Sequence, residues 1–150
     1  MAGLIATPQC VVAILSPWIG YYSEKFGRKP LLLMGFGLDI LRAALFAISG
    51  QYSLLIVSQI IGGMSAAAVT VLTVLVITDI TTGTGRFNLV QGFVGTVIAI
   101  AASMSTATSG FIFQSVGHMQ GFLILAAAAA IATGVLWTAM PETKPGKYLD

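Results

Sequence analysis

The chain has 150 residues; 57% are hydrophobic, only 8% are charged, and the mean hydropathy is +0.94. A soluble domain carries about 25% charged residues, so this composition cannot cover a water-facing surface. The net charge of +2 sits in short segments and forms no basic stripe, which argues against nucleic acid as a partner, and a lone cysteine, Cys10, cannot make an internal disulfide.

A helix crosses the hydrocarbon core with about 20 mostly apolar residues. Five runs reach that length, at 2–22, 31–49, 53–77, 88–112 and 120–140. Membrane strands are about 10 residues long and alternate, and these runs do neither. The predicted fold is therefore all-α: an integral membrane bundle of five transmembrane helices, with the lipid bilayer as its first partner.

The first run has no charged residue before Lys25. It lacks the basic start of a removable signal and is expected to span. Pro8 and Pro17 interrupt it, which membrane helices tolerate, and Gln9 is a weak polar candidate for a solute path. A short charged segment follows, Gly20-Tyr21-Tyr22-Ser23-Glu24-Lys25-Phe26-Gly27-Arg28-Lys29-Pro30. Residues 23–30 read as a loop in which Gly27 supplies a left-handed reversal and Pro30 opens the next helix. Gly20 is expected to let neighbouring helices approach.

The second run carries Asp39 and Arg42, three apart and so on one helix face. Charges at that depth mark function or pairing. One reading makes Asp39 a proton carrier tuned by Arg42; the plainer one is a paired structural contact. Gly35-Phe36-Gly37-Leu38-Asp39 comes near the GxGD of intramembrane aspartyl proteases but is one residue too long, and no second membrane aspartate exists. No HExxH, GxSxG or P-loop occurs either. No enzyme, metal or organic cofactor is expected.

Along the third run Gln59, Gly63, Ala66, Thr70 and Thr73 recur at spacings of 4, 3, 4 and 3, one small or polar face of a helix. That face is expected to turn inward, with Gln59 and Thr70 as candidate solute contacts. The opposite side presents Ile61, Met64, Ala68, Leu72 and Leu75. The alternative is packing through small residues, with the threonine hydroxyls bonded to their own backbone. Asp79 and Arg86 then trim the segment 78–87. In the fourth run the hydroxyls bunch towards the far end, Ser103 and Thr106 among them, and Gly92 and Gly95 suggest close packing. His118 lies in a short turn without a metal-binding partner. Trp18, Tyr21, Tyr22 and Trp137 fit interfacial anchors.

With five crossings, the segments 23–30, 78–87 and 141–150 fall on one side and hold six of the seven basic residues. The positive-inside rule makes that side cytoplasmic. The N-terminus is then outside and the C-terminus inside.

The charged segment, read as G-x-x-x-[DE]-[KR]-x-G-[RK]-[RK], resembles the cytoplasmic loop signature of the major facilitator superfamily of secondary transporters. The ending Pro141-Glu142-Thr143-Lys144 is similar to the sequence that often follows the family's twelfth helix. The segment Thr78–Asn88 also resembles the family's loop between helices ten and eleven in bacterial-type permeases and efflux carriers, which slightly favours efflux. Five crossings ending inside then match helices eight to twelve, over essentially the whole chain. The resemblance implies a partial major facilitator fold and alternating access to a small-molecule solute. It makes the missing N-terminal half of the carrier a partner. It also makes Gly20, Glu24, Lys25, Gly27, Arg28 and Lys29 a gating loop, with Glu24 at the latch carboxylate where the family more often has Asp. Against gating stands the plainer reading, a positive loop that only fixes topology. A non-transporting membrane fragment or assembly subunit is the alternative function.

Overall fold

The computed structural model of the chain describes residues 2–48 and 52–141. The Glu142–Lys144 part of the terminal motif and the rest of the tail lie outside the described residues. Five helices occupy them: α1 (Ala2–Phe26), α2 (Arg28–Ile48), α3 (Tyr52–Thr81), α4 (Phe87–Val116) and α5 (His118–Ala139). In hydrocarbon a backbone must satisfy its own N–H and C=O groups, and a helix does so within one segment. Among the described residues α2, α3, α4 and α5 are long and apolar enough to cross a membrane. The remaining helix, α1, runs beside α3 in the same direction: Val11 faces Gly63, and further along Ser23 and Asp79 hold the same arginine.

The helices outrun the apolar stretches. At 30 residues, α3 and α4 are each about 45 Å long, against a hydrocarbon core of about 30 Å. Their polar ends continue the helix into the headgroup layer. The same effect corrects the expected loop 23–30, of which only Gly27 is non-helical. Ser23–Phe26 finish α1, and Arg28–Pro30 make the first turn of α2. Gly27 has φ 94°, and its N–H donates to the Ser23 carbonyl at 3.1 Å. A side chain at that φ would clash with its own backbone.

Packing centres on α3, which lies between α1 and α2, while α5 leans on the far side of α2. Small residues set the spacing. A Cβ built on Gly35 would stand 3.0 Å from the Ala68 Cβ, and one on Gly63 only 2.7 Å from the Val11 Cβ. The core forms near the charged turn from Leu31, Leu32, Ala68 and Leu72, flanked by Ile19, Phe36 and Leu136.

By contrast α4 has no buried residue. The close packing expected at Gly92 and Gly95 is not found, and Gly20 likewise has nothing within 4 Å of where its Cβ would be. Among the described residues no neighbour approaches these glycines. At the end remote from the charged turn, Phe46 stacks on Phe122 at 5.2 Å, and Phe122 meets Phe113 edge-on at 4.9 Å. The exposed His118 ring rests against Phe113 at 5.5 Å.

Candidate functional site

The tightest polar arrangement lies where α1 turns into α2. A one-residue connection throws Arg28 back across the turn, and it is only 3% exposed. Its Nε donates to Asp79 Oδ2 at 3.0 Å and Nη2 to Oδ1 at 3.5 Å. Nη1 donates to Ser23 Oγ at 2.5 Å, and that hydroxyl donates onward to the Gly20 carbonyl at 2.7 Å. A planar guanidinium is thus gripped by the ends of two helices while sitting on a third. The cluster ties α1, α2 and α3 together at one membrane face.

Sequence reasoning placed Asp79 in the wrong role. It does not trim a loop; it is the carboxylate partner of Arg28, across 51 positions of sequence. Ser23 was missed altogether. The available signal was a lone carboxylate at the end of a spanning helix, on the same side as the arginine-bearing turn. Glu24 and Lys25 are exposed and lie outside the cluster, and Lys29 is half-buried.

Deeper in the membrane, Asp39 and Arg42 share a face of α2 and line a cavity of about 200 Å³ with Phe46, Phe122 and Leu125. They form no ion pair; among the described residues the Arg28–Asp79 bridge is the only one. This corrects the paired-contact reading. Arg42 instead lays its guanidinium 5.5 Å from the Phe46 ring centroid, a cation–π contact. The side chain crosses α3 at Gly62, where a Cβ would fall 2.8 Å from both Cζ and Nε. Arg42 Nε is buried with no hydrogen-bond partner among the described residues.

The polar stripe of α3 does not turn inward within this chain. Ala66 and Thr70 are exposed and Gln59 and Thr73 half-buried, while Gly63 alone is buried, against α1. Ala68 and Leu72, expected on the lipid side, belong to the core. Neighbouring helices pack on α3 through Gly62, Gly63, Ala68 and Leu72; of the stripe, Gly63 is covered by α1 while Ala66 and Thr70 are left exposed. Thr78 and Thr81 bond back to their own helix at 2.9 and 2.7 Å, but among the described residues Thr70 and Thr73 make no such bond. On α4, Ser103 and Thr106 are exposed and bond to the Ala99 and Ala102 carbonyls at 3.0 and 2.9 Å. Gln9 is exposed on α1. These polar candidates lie on three helices and form no joint cluster in the chain alone.

Comparison with known proteins gives this arrangement its context. The family model of the Major Facilitator Superfamily matches residues 1–149. The uncharacterized MFS-type transporter Rv2456c of Mycobacterium tuberculosis is 33% identical over 143 residues, covering 95% of this chain and 34% of that protein. Multidrug resistance protein 2 of Bacillus subtilis is 30% identical over 132 residues, 88% of this chain and 32% of the relative. The quinolone resistance protein NorA of Staphylococcus aureus is 28% identical over 119 residues, 79% of this chain and 30% of the relative. The chain thus spans about a third of the length of the curated relatives it matches. With apolar helices throughout and a match over almost its full length, the chain is a multi-pass membrane protein and belongs to the Major Facilitator Superfamily.

Proposed function

We propose that this chain supplies helices eight to twelve of a secondary transporter that moves a small organic solute by alternating access, with efflux as the direction. The single observation that carries the reading is the buried Ser23–Arg28–Asp79 cluster on a glycine-hinged turn. It fastens three helix ends at one membrane face, where a carrier must close and reopen. The basic turn faces the cytoplasm and the N-terminus the exterior, supported by the sidedness of lysine and arginine. Glu24, Lys25 and Lys29 rim the gate; Gly20 and Gly27 shape it. Gln9, Gln59, Thr70, Ser103 and Thr106 contribute to the solute path once the upstream half covers the exposed faces of α3 and α4. The efflux preference comes from relatives named for multidrug and quinolone resistance. Such a cycle makes and breaks no covalent bond, so no enzymatic activity is assigned.

The test is a chimera in which residues 1–150 replace the matching third of Bacillus subtilis multidrug resistance protein 2. Expressed in cells stripped of their own pumps, it is expected to lower accumulation of a fluorescent lipophilic cation. A chimera that reaches the membrane, by protease protection, yet leaves accumulation unchanged would favour the non-transporting assembly subunit.

Asp39 has an assigned role within this proposal. A charge near the bilayer centre costs about 2.5–3.5 kcal/mol on insertion scales, and among the described residues Asp39 has no ion-pair partner to offset it. Proton exchange at Asp39 is the proposed coupling step, with Arg42 alongside. Asp39→Asn in the chimera is expected to flatten the pH dependence of efflux at unchanged expression. A pH profile that survives the substitution removes the coupling role.

A further inference from the structure

About 21 Å along α2 from Arg28, the Arg42 guanidinium carries donors that no acceptor meets. Among the described residues Arg42 makes no hydrogen bond or ion pair, and its Nε is buried. The Phe46 ring, 5.5 Å from Cζ, takes the charge of the cation but not its N–H groups. Asp39, three residues earlier on the same face, has no ion-pair partner among the described residues either. Both line the cavity of about 200 Å³, whose other walls are Ala43, Phe46, Phe122 and Leu125. Phe122 is about one turn into α5 from His118, so the cavity lies towards the membrane face remote from the charged turn.

We infer that this cavity binds a small monocarboxylate. Its carboxylate accepts from Arg42, and its short or ring-shaped apolar tail lies against Phe46, Phe122 and Leu125. One guanidinium supplies one positive charge, which suits a monoanion, and its planar fork of donors suits a carboxylate. The volume lies below the roughly 300–1,000 Å³ of drug-sized ligands, so the occupant is small. Charge balance sets a condition on entry. With Asp39 ionised, the bound anion would leave a net negative charge within the hydrocarbon layer, which is costly. The ligand therefore enters with one proton from bulk water, held on the Asp39 carboxylate. That condition rests on the reading of Asp39 as the proton-exchanging group; the Arg42 site does not. Among the described residues no other titratable side chain lines the cavity. From α3 it is Gly62 that meets the guanidinium, and on α5 the His118 ring meets the wall residue Phe122 edge-on at 6.0 Å.

The test places the 150-residue chain in phosphatidylcholine nanodiscs and measures binding of radiolabelled benzoate between about pH 6 and 8, where a carboxylate of ordinary acidity stays ionised. Saturable binding is expected, stronger at the acid end. Arg42→Met should weaken it by about tenfold or more, the worth of a hydrogen bond to a charged group. Arg42→Lys, which keeps the charge without the fork, should fall between the two, with helix content by circular dichroism unchanged in both. Asp39→Asn, neutral at every pH, should bind at least as tightly as the parent and lose the pH dependence. Binding that is absent from the parent would overturn the site, by leaving Arg42 to a lipid phosphate. Binding unchanged in Arg42→Met, or abolished in Asp39→Asn, overturns it too. A pH dependence that persists in Asp39→Asn, or disappears in His118→Gln, overturns the shared proton. No transport is measured, so an inactive efflux chimera leaves this result standing, and a missing benzoate site leaves the chimera's efflux unaffected.

Discussion

Asp79→Ala is expected to be among the most damaging single substitutions in the chain, costing about 3–5 kcal/mol of stability. It takes from the buried Arg28 guanidinium, 4% exposed on the side chain, the carboxylate that Nε holds at 3.0 Å. The Ser23 hydroxyl can replace neither the negative charge nor the side-on geometry. Reversible unfolding by SDS in mixed micelles would measure the loss. The informative control is Arg28→Met combined with Asp79→Leu. Replacing both members of a buried pair by apolar groups of similar size is often neutral or stabilising, so the double variant should recover most of the lost stability. If the pair serves as a gate fastening, stability and function then separate: in the transport chimera the double variant should fold and insert but export poorly. A double variant that both folds and exports like the parent would reduce Arg28–Asp79 to a fixed strut. An Asp79→Ala variant as stable as the parent would mean that the bridge is not formed in the bilayer.

The degree to which this structure is legible in the sequence follows from what each feature depends on. The five apolar runs are legible because lipid leaves the backbone one sensible conformation, and the charged turn is legible because Gly27 must take a positive φ. Their exact ends were not, since helices continue into the headgroup layer where hydropathy gives no signal. The Arg28–Asp79 pair spans two intervening helices, and no local spacing encodes it. The stripe on α3 is split between surroundings: Gly63 packs on α1, while Ala66 and Thr70 are exposed. Periodicity says which residues point together; it does not say what stands opposite them. Here the helices that pack on α3 approach at Gly62, Gly63 and Ala68, because small side chains let backbones come close where hydrophobicity cannot drive association. The exposure of α4 could not have been read from composition, as its apolar residues suit lipid and a neighbouring helix equally well.

That packing logic yields the second large effect, at Gly63. A Cβ there would meet the Val11 Cβ at 2.7 Å, Val11 Cγ1 at 2.9 Å and the Pro8 carbonyl oxygen at 2.9 Å. Two of these atoms are rigidly attached to the α1 backbone, so no rotamer change relieves the contact and the helices must separate. Gly63→Ala is expected to cost about 1–3 kcal/mol, the usual range for overpacking, and Gly63→Leu more. For Gly62→Ala the nearest atoms all belong to the Arg42 side chain, with Cζ and Nε at 2.8 Å. That guanidinium can swing away, so the stability loss should be smaller while the contact with Phe46 is disturbed. Gly20→Ala and Gly92→Ala, with nothing within 4 Å, should be neutral or gain up to about 1 kcal/mol from helix propensity. Ranking the four alanine variants by SDS unfolding tests the packing directly. Should Gly63→Ala prove no more harmful than Gly20→Ala, α1 and α3 are not in contact at Val11, and the three-helix grip on Arg28 loses its scaffold. Should Gly20→Ala or Gly92→Ala prove harmful only inside the transport chimera, those glycines are the surfaces on which the upstream half of the carrier rests.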